Sequence, residues 1–171
     1  MKVEPSFEAF AAAYAAGRPS VVYTRLVADL ETPVSSMLKL ADGRAHSFLL
    51  ESVEGGAVRG RYSMIGIKPD LVWRSRGDKA EINRHFRANT ESFEACPGGA
   101  LASLRALVAE SRIDLPAGLP PMASGLFGYM GYDMVRLMER LPTDKPAHAS
   151  TSVIHLGIRM RVPSGNSQRS C

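Results

Sequence analysis

Arg61-Tyr62-Ser63-Met64-Ile65-Gly66-Ile67-Lys68-Pro69-Asp70-Leu71-Val72-Trp73-Arg74-Ser75-Arg76-Gly77-Asp78-Lys79-Ala80-Glu81-Ile82 is the stretch that decides the fold class. Short apolar or β-branched runs recur in it at Tyr62 to Ile67, Leu71 to Arg74 and Ala80 to Ile82. Turn formers separate them: Lys68-Pro69-Asp70 and Arg76-Gly77-Asp78-Lys79. Extended runs joined by tight turns predict an antiparallel meander, because a parallel pairing would need a long crossover between strands.

Working outward, Ser47 to Val53 is a further apolar run ending at the flexible Gly55-Gly56. Before it, Thr32-Pro33 opens a helix through Val34, Met37, Leu38 and Leu40, which Gly43 stops. Val21 to Ala28 is β-branched and apolar and predicts a strand. Phe7, Phe10 and Tyr14 lie at helical spacing between Ser6 and Ala16, with Gly17 and Pro19 as the stop. On the other side, Leu101, Leu104, Leu107 and Val108 mark a helix after Pro97-Gly98-Gly99, and Pro116 to Pro121 form a linker. Ala123 to Asp133 then predicts a glycine-punctuated strand leading into Val135 to Leu141. Strand pairs with interspersed helices predict an α+β fold, an antiparallel sheet with flanking helices, rather than a doubly wound sheet.

Composition narrows the function classes. A chain of 171 residues with 45% hydrophobic content has enough apolar surface for one folded core. Its sequence has no uninterrupted apolar stretch of spanning length, and the expectation is a cytoplasmic protein without membrane contact. The net charge of +4 comes from basic residues scattered among acids, including Arg59, Arg61, Arg74, Arg76, Arg84 and Arg87, so a solvated surface is expected and not a nucleic-acid partner. The two cysteines, Cys96 and Cys171, are far apart and read as free thiols.

Catalytic and metal-binding patterns are missing. The four histidines, His46, His85, His148 and His155, have neither close spacing nor cysteine neighbours, so no metal site is expected. There is no Gly-x-Ser-x-Gly nucleophile turn. Gly125, Gly128 and Gly131 do not form a phosphate loop: they lack the Gly-Lys-Ser/Thr ending and sit in aromatic strand-like sequence, where close backbone approach or a bulge is expected. Trp73, between Val72 and Arg74, is expected in the core. Asp133 is a lone carboxylate, expected to be structural.

Three blocks carry a resemblance that physical reading alone would not reach. Phe48-Leu49-Leu50-Glu51-Ser52-Val53-Glu54-Gly55-Gly56, Arg59-Gly60-Arg61-Tyr62-Ser63-Met64-Ile65-Gly66 and Gly125-Leu126-Phe127-Gly128-Tyr129-Met130-Gly131-Tyr132-Asp133 occur in that order. Together they resemble the N-terminal region of the large subunit of anthranilate synthase, within the chorismate-utilising enzymes. The resemblance runs from about Pro5 to Pro146 and implies the N-terminal part of the anthranilate/aminodeoxychorismate synthase fold, incomplete here. It implies chorismate chemistry in a C-terminal domain with bound magnesium, ammonia from a separate glutamine amidotransferase subunit, and inhibition by L-tryptophan at a site that the N-terminal region helps to form. Carried over by motif, Glu51 and Ser52 are the first candidates for contact with tryptophan, and Arg61, Tyr62, Ser63 and Met64 the second. Their chemistry agrees: a zwitterion needs an anion for its ammonium and donors for its carboxylate, and an indole needs an apolar wall. No catalytic residue and no cofactor are expected in the chain itself.

The sequence departs from that family after about Pro146. Residues 147–171 are read as having neither strand alternation nor helical periodicity, and as an aberrant, frameshifted tail that leaves the C-terminal chorismate-binding domain absent. Ile158 to Arg161 and Ser167 to Cys171 can each be encoded so that one shifted frame reads Pro-Asp-Ala and Pro-Thr-Val-Val, segments the family carries. The expectation is therefore a regulatory N-terminal fragment of anthranilate synthase, inactive alone. Two alternatives stand beside it: a fragment of an aminodeoxychorismate synthase, and a non-catalytic tryptophan-binding module.

Overall fold

The computed structural model describes residues 1–51, 62–142 and 151–156, the last as backbone only. The chain divides into two compact units, one of which includes residues 1–28 and 113–124 and the other residues 29–112 and 125–156.

In the smaller unit β1 (Val3–Glu4) pairs antiparallel with β2 (Tyr23–Thr24), with α1 (Phe7–Ala15) between them in sequence. Ser6 caps α1, its hydroxyl accepting from the Ala9 amide at 3.3 Å, and Gly17 stops it at φ +65°. The strand predicted over Val21 to Ala28 shrinks to two residues, because its only partner among the described residues, β1, is two residues long. The Tyr23 hydroxyl donates to Glu4 at 2.6 Å, and the Arg25 guanidinium donates to the Gly118 carbonyl at 3.2 Å, tying segment 113–124 to the N-terminal segment.

The larger unit is built on a five-stranded antiparallel sheet. Its strands are β5 (Leu71–Arg76), β6 (Lys79–Asn83), β7 (Glu94–Ala95), β8 (Leu126–Tyr129) and β9 (Thr151–Leu156), in the spatial order β7-β6-β5-β9-β8. The two-residue turn Gly77-Asp78, with Gly77 at φ +57°, joins β5 to β6 in the register Arg76↔Lys79. β5 alternates its side chains between two faces. Leu71, Trp73 and Ser75 face α3 (Gly99–Glu110), whose Ala100 and Leu107 are buried with them. Trp73 is fully buried, as its sequence position predicts, and its indole N–H donates to the Ser103 hydroxyl at 3.1 Å, so burial leaves no donor unmet. Gly98, at the N-cap of α3, supplies no side chain; instead Asp78 reaches across from the β5–β6 turn and accepts from the Ala100 amide at 2.9 Å.

The predicted meander breaks at Lys68-Pro69-Asp70. β4 (Ser63–Gly66) does not pair with β5; it pairs with β3 (Phe48–Glu51) in a separate two-stranded ribbon. Lys68 sits in the left-handed region at φ +52° and Pro69 has no N–H, so no ladder can continue through this turn. β5 takes β9 as its second partner instead. This is a correction at the other end too: Thr151–Leu156, read from sequence as lacking strand alternation, is a strand between β5 and β8. The remainder of 147–171 lies outside the described residues.

α2 (Pro33–Ala41) packs against β3 and β4. Thr32 closes a capping box with Ser35, the two exchanging bonds at 3.0 and 2.9 Å, and Asp42 at φ +47° ends the helix one residue before the Gly43 that marks the stop in sequence.

Candidate functional site

The β3–β4 ribbon carries the residues singled out by motif. Its register pairs Phe48↔Gly66, Leu49↔Ile65, Leu50↔Met64 and Glu51↔Ser63. Directly opposed residues in an antiparallel pair share a face, and successive ones alternate. Glu51 and Ser63 therefore sit side by side on the face that also carries Leu49 and Ile65, with Cα atoms about 4.5–5.5 Å apart as such pairs are. Met64 lies on the other face with Leu50. Both Glu51 and Ser63 are exposed, and so is Tyr62 immediately before β4. Ser52 and Arg61 lie outside the described residues. Of the six candidates, then, the register brings Glu51 and Ser63 together and puts Met64 on the opposite face, while Tyr62 directly precedes Ser63 in the chain.

An exposed carboxylate beside an exposed hydroxyl is a polar pair that can accept from an ammonium and donate to a carboxylate. Such a pair can hold the head of an amino acid. Among the described residues, the apolar side chains on the same face of the ribbon are Leu49 and Ile65, both half-buried.

The ribbon is seated by two aromatic rings that sequence reading passed over as candidates. Phe48 stacks on Phe127 of β8 with centroids 4.9 Å apart and planes at 30°. On its own ribbon the same ring lies over Gly66, where a Cβ would collide with it. Phe48 and Phe127 lie in two of the three family-like blocks, but nothing in their spacing predicts contact; the signal was only that each block holds an aromatic next to its apolar run.

Other groups have structural roles. An open cleft of about 420 Å³ at the β5–β6 hairpin is lined by Arg74, Ser75, Arg76, Lys79 and Glu81. Arg74 is held there by Glu81 at 2.9 Å and lies 3.7 Å over the Phe93 ring, so the wall carries both signs. Burial pushes the Cys96 thiol up, against an activated nucleophile. Asp133 lies 3.6 Å from Arg136, three residues on, in the short helical segment Tyr132–Leu137, a structural placement. Among the described residues no three His, Cys, Asp or Glu side chains come together as a metal site needs, and no helix is long and apolar enough to cross a membrane.

No protein-family model matches the sequence. Individual proteins do. The chain is 56% identical over 141 residues to anthranilate synthase component 1 of Cereibacter sphaeroides, which covers 82% of the chain and 28% of that protein. The component 1 of Synechocystis is 40% identical over 146 residues, 84% of the chain and 28% of the relative. The chain is a relative of anthranilate synthase component 1. A third example, from Thermus thermophilus, is 38% identical over 127 residues, 70% of the chain and 24% of the relative. The match corresponds to the N-terminal part of these proteins, and the chain spans about 28% of the length of the first two. The resemblance read from the three sequence blocks is thus confirmed, and so is the mixed α+β class.

Proposed function

We propose that this chain is the regulatory N-terminal part of an anthranilate synthase component 1, and that its β3–β4 ribbon supplies part of a feedback site for L-tryptophan. The observation that carries the reading is the side-by-side placement of exposed Glu51 and Ser63 inside a sequence so similar to that family. Glu51 accepts from the ammonium of the amino acid and Ser63 donates to its carboxylate, with Ser52, Arg61 and Tyr62 as further contacts; Met64, on the opposite face of the ribbon, is not among them. In this reading the whole enzyme makes anthranilate from chorismate, takes ammonia from a glutamine amidotransferase subunit and holds magnesium in its catalytic domain, while this region alone turns over nothing. Exposed apolar side chains on α2 fit a region that packs against more protein: Leu38 is 72% exposed and Val34 and Leu40 about half.

Two measurements test the proposal. Calorimetric titration with L-tryptophan is expected to give weak binding, in the millimolar range, that Glu51→Gln abolishes; binding that Glu51→Gln leaves intact would remove the ribbon from the site. Micromolar binding by the chain alone would favour the self-contained sensor. Anthranilate fluorescence after incubation with chorismate, ammonia and magnesium is expected to stay at the blank, and turnover above it would overturn the inactive reading.

A further inference from the structure

The β3–β4 ribbon has a structural problem. Two paired strands are marginal in water without a surface to pack on, and among the described residues this ribbon shares no strand pairing with the five-stranded sheet. α2 packs against both strands, the outer end is polar and exposed at Glu51 and Ser63, and the contact with the five-stranded sheet comes at the other end. There, Phe48 is sandwiched between Gly66 of its own ribbon and Phe127 of β8. Gly66 does not have a positive φ, so its backbone would admit any L-residue; the ring is what excludes a Cβ. Phe127 belongs to the face of the sheet opposite α3, because its neighbour Leu126 packs against the Trp73 core. The stack is therefore a direct side-chain link from the sheet to the ribbon, and the geometry of two rings resists rotation of the ribbon more than aliphatic contact would.

We propose that Phe127 is a positioning residue: by stacking on Phe48 over Gly66 it fixes the orientation of the β3–β4 ribbon against β8, and with it the Glu51–Ser63 pair. The link to ligand binding rests on the tryptophan-sensing reading above; the orienting role does not.

Amide hydrogen exchange followed by NMR on the intact chain tests both levels. In Phe127→Leu the ladder-bonded amides of the β3–β4 ribbon are expected to exchange about tenfold faster, the upper range for loss of one aromatic pair, while those of Val72 to Ser75 stay at the wild-type rate. Gly66→Ala displaces the Phe48 ring without touching Phe127 and is expected to give the same ribbon-specific pattern. Phe127→Tyr keeps the stack and should restore wild-type exchange. Ribbon rates unchanged in both Phe127→Leu and Gly66→Ala, or ribbon and core rates rising together in both, would overturn the proposal. Titrating the same samples with L-tryptophan separates the two levels. Wild-type shifts at Glu51 and Ser63 that need roughly tenfold more tryptophan in Phe127→Leu support positioning of the site; equal affinity despite the loosened ribbon would overturn that part. If the wild-type chain shows no tryptophan shifts while the exchange pattern holds, the sensing reading falls and the orienting role of Phe127 is supported.

Discussion

β5 and β3 are both short apolar strands, yet they have opposite fates. β5 has a partner on each side, and its residues from Leu71 to Trp73 are all buried. Among the described residues β3 has a single partner, and its last two residues, Leu50 and Glu51, are exposed. The difference lies in what covers each strand. β5 is backed by α3 and flanked by β6 and β9, so it carries the stability of the unit. Among the described residues β3 rests on the Phe48–Phe127 stack and on α2, and its end at Glu51 is exposed. The proposed tryptophan site would thus sit on the less well covered of the two strands.

Substituting the two strands should break this contrast if it is wrong. Trp73→Ala removes the largest fully buried side chain and its hydrogen bond to Ser103, and is expected to cost about 3–5 kcal/mol, enough to unfold much of the population. Leu50→Ala, at a position 49% exposed, is expected to cost less than about 1 kcal/mol. Urea denaturation followed by far-ultraviolet circular dichroism measures both, and equal losses would refute the ranking.

The next effect sharpens where the stable region ends. Asp78 caps α3 from the hairpin turn, so Asp78→Ala should destabilise by about 1 kcal/mol, as N-cap removals do. Because the cap joins β5–β6 to α3, the loss should appear as faster amide exchange in the first turn of α3 and not in β3 or β4. Exchange confined to the ribbon would contradict that assignment.

The smallest effect is in the other unit and depends on pH. The Tyr23 hydroxyl, donating to Glu4, holds that carboxyl below its ordinary value, with a smaller contribution from Lys2. A folded value below the unfolded one means the bond stabilises β1–β2 above the ordinary carboxylate value of about 4.3 and loses that contribution as pH falls through the folded value. NMR shifts of Val3 and Thr24 should therefore move below pH 4.5 in the wild-type chain and stay flat in Glu4→Gln. Because both side chains are solvent-accessible, the expected change is small; identical titration curves for the two chains would show that the bond does not matter to the pairing.

Much was legible in sequence because its cause was local. Thr32-Pro33, Ser6 and the Gly77-Asp78 turn announce their elements through capping and turn chemistry that needs no distant partner. The burial of Trp73 followed from an apolar strand flanked by turn residues. The candidate site was legible only through resemblance: Glu51 and Ser63 are twelve positions apart, and no periodicity relates them.

By itself the sequence determined the α+β class, the helix starts, the family and the residues to suspect, since propensity, capping and motif identity all reside in contiguous residues. Only the tertiary structure decided which strands pair. It took β4 away from β5 and gave it to β3, placed Thr151–Leu156 inside the sheet, set Met64 on the face away from Glu51, and stacked Phe48 on Phe127. Strand partners and aromatic contacts are chosen by surfaces that meet across long sequence separations, and a one-residue change in register moves every side chain to the other face.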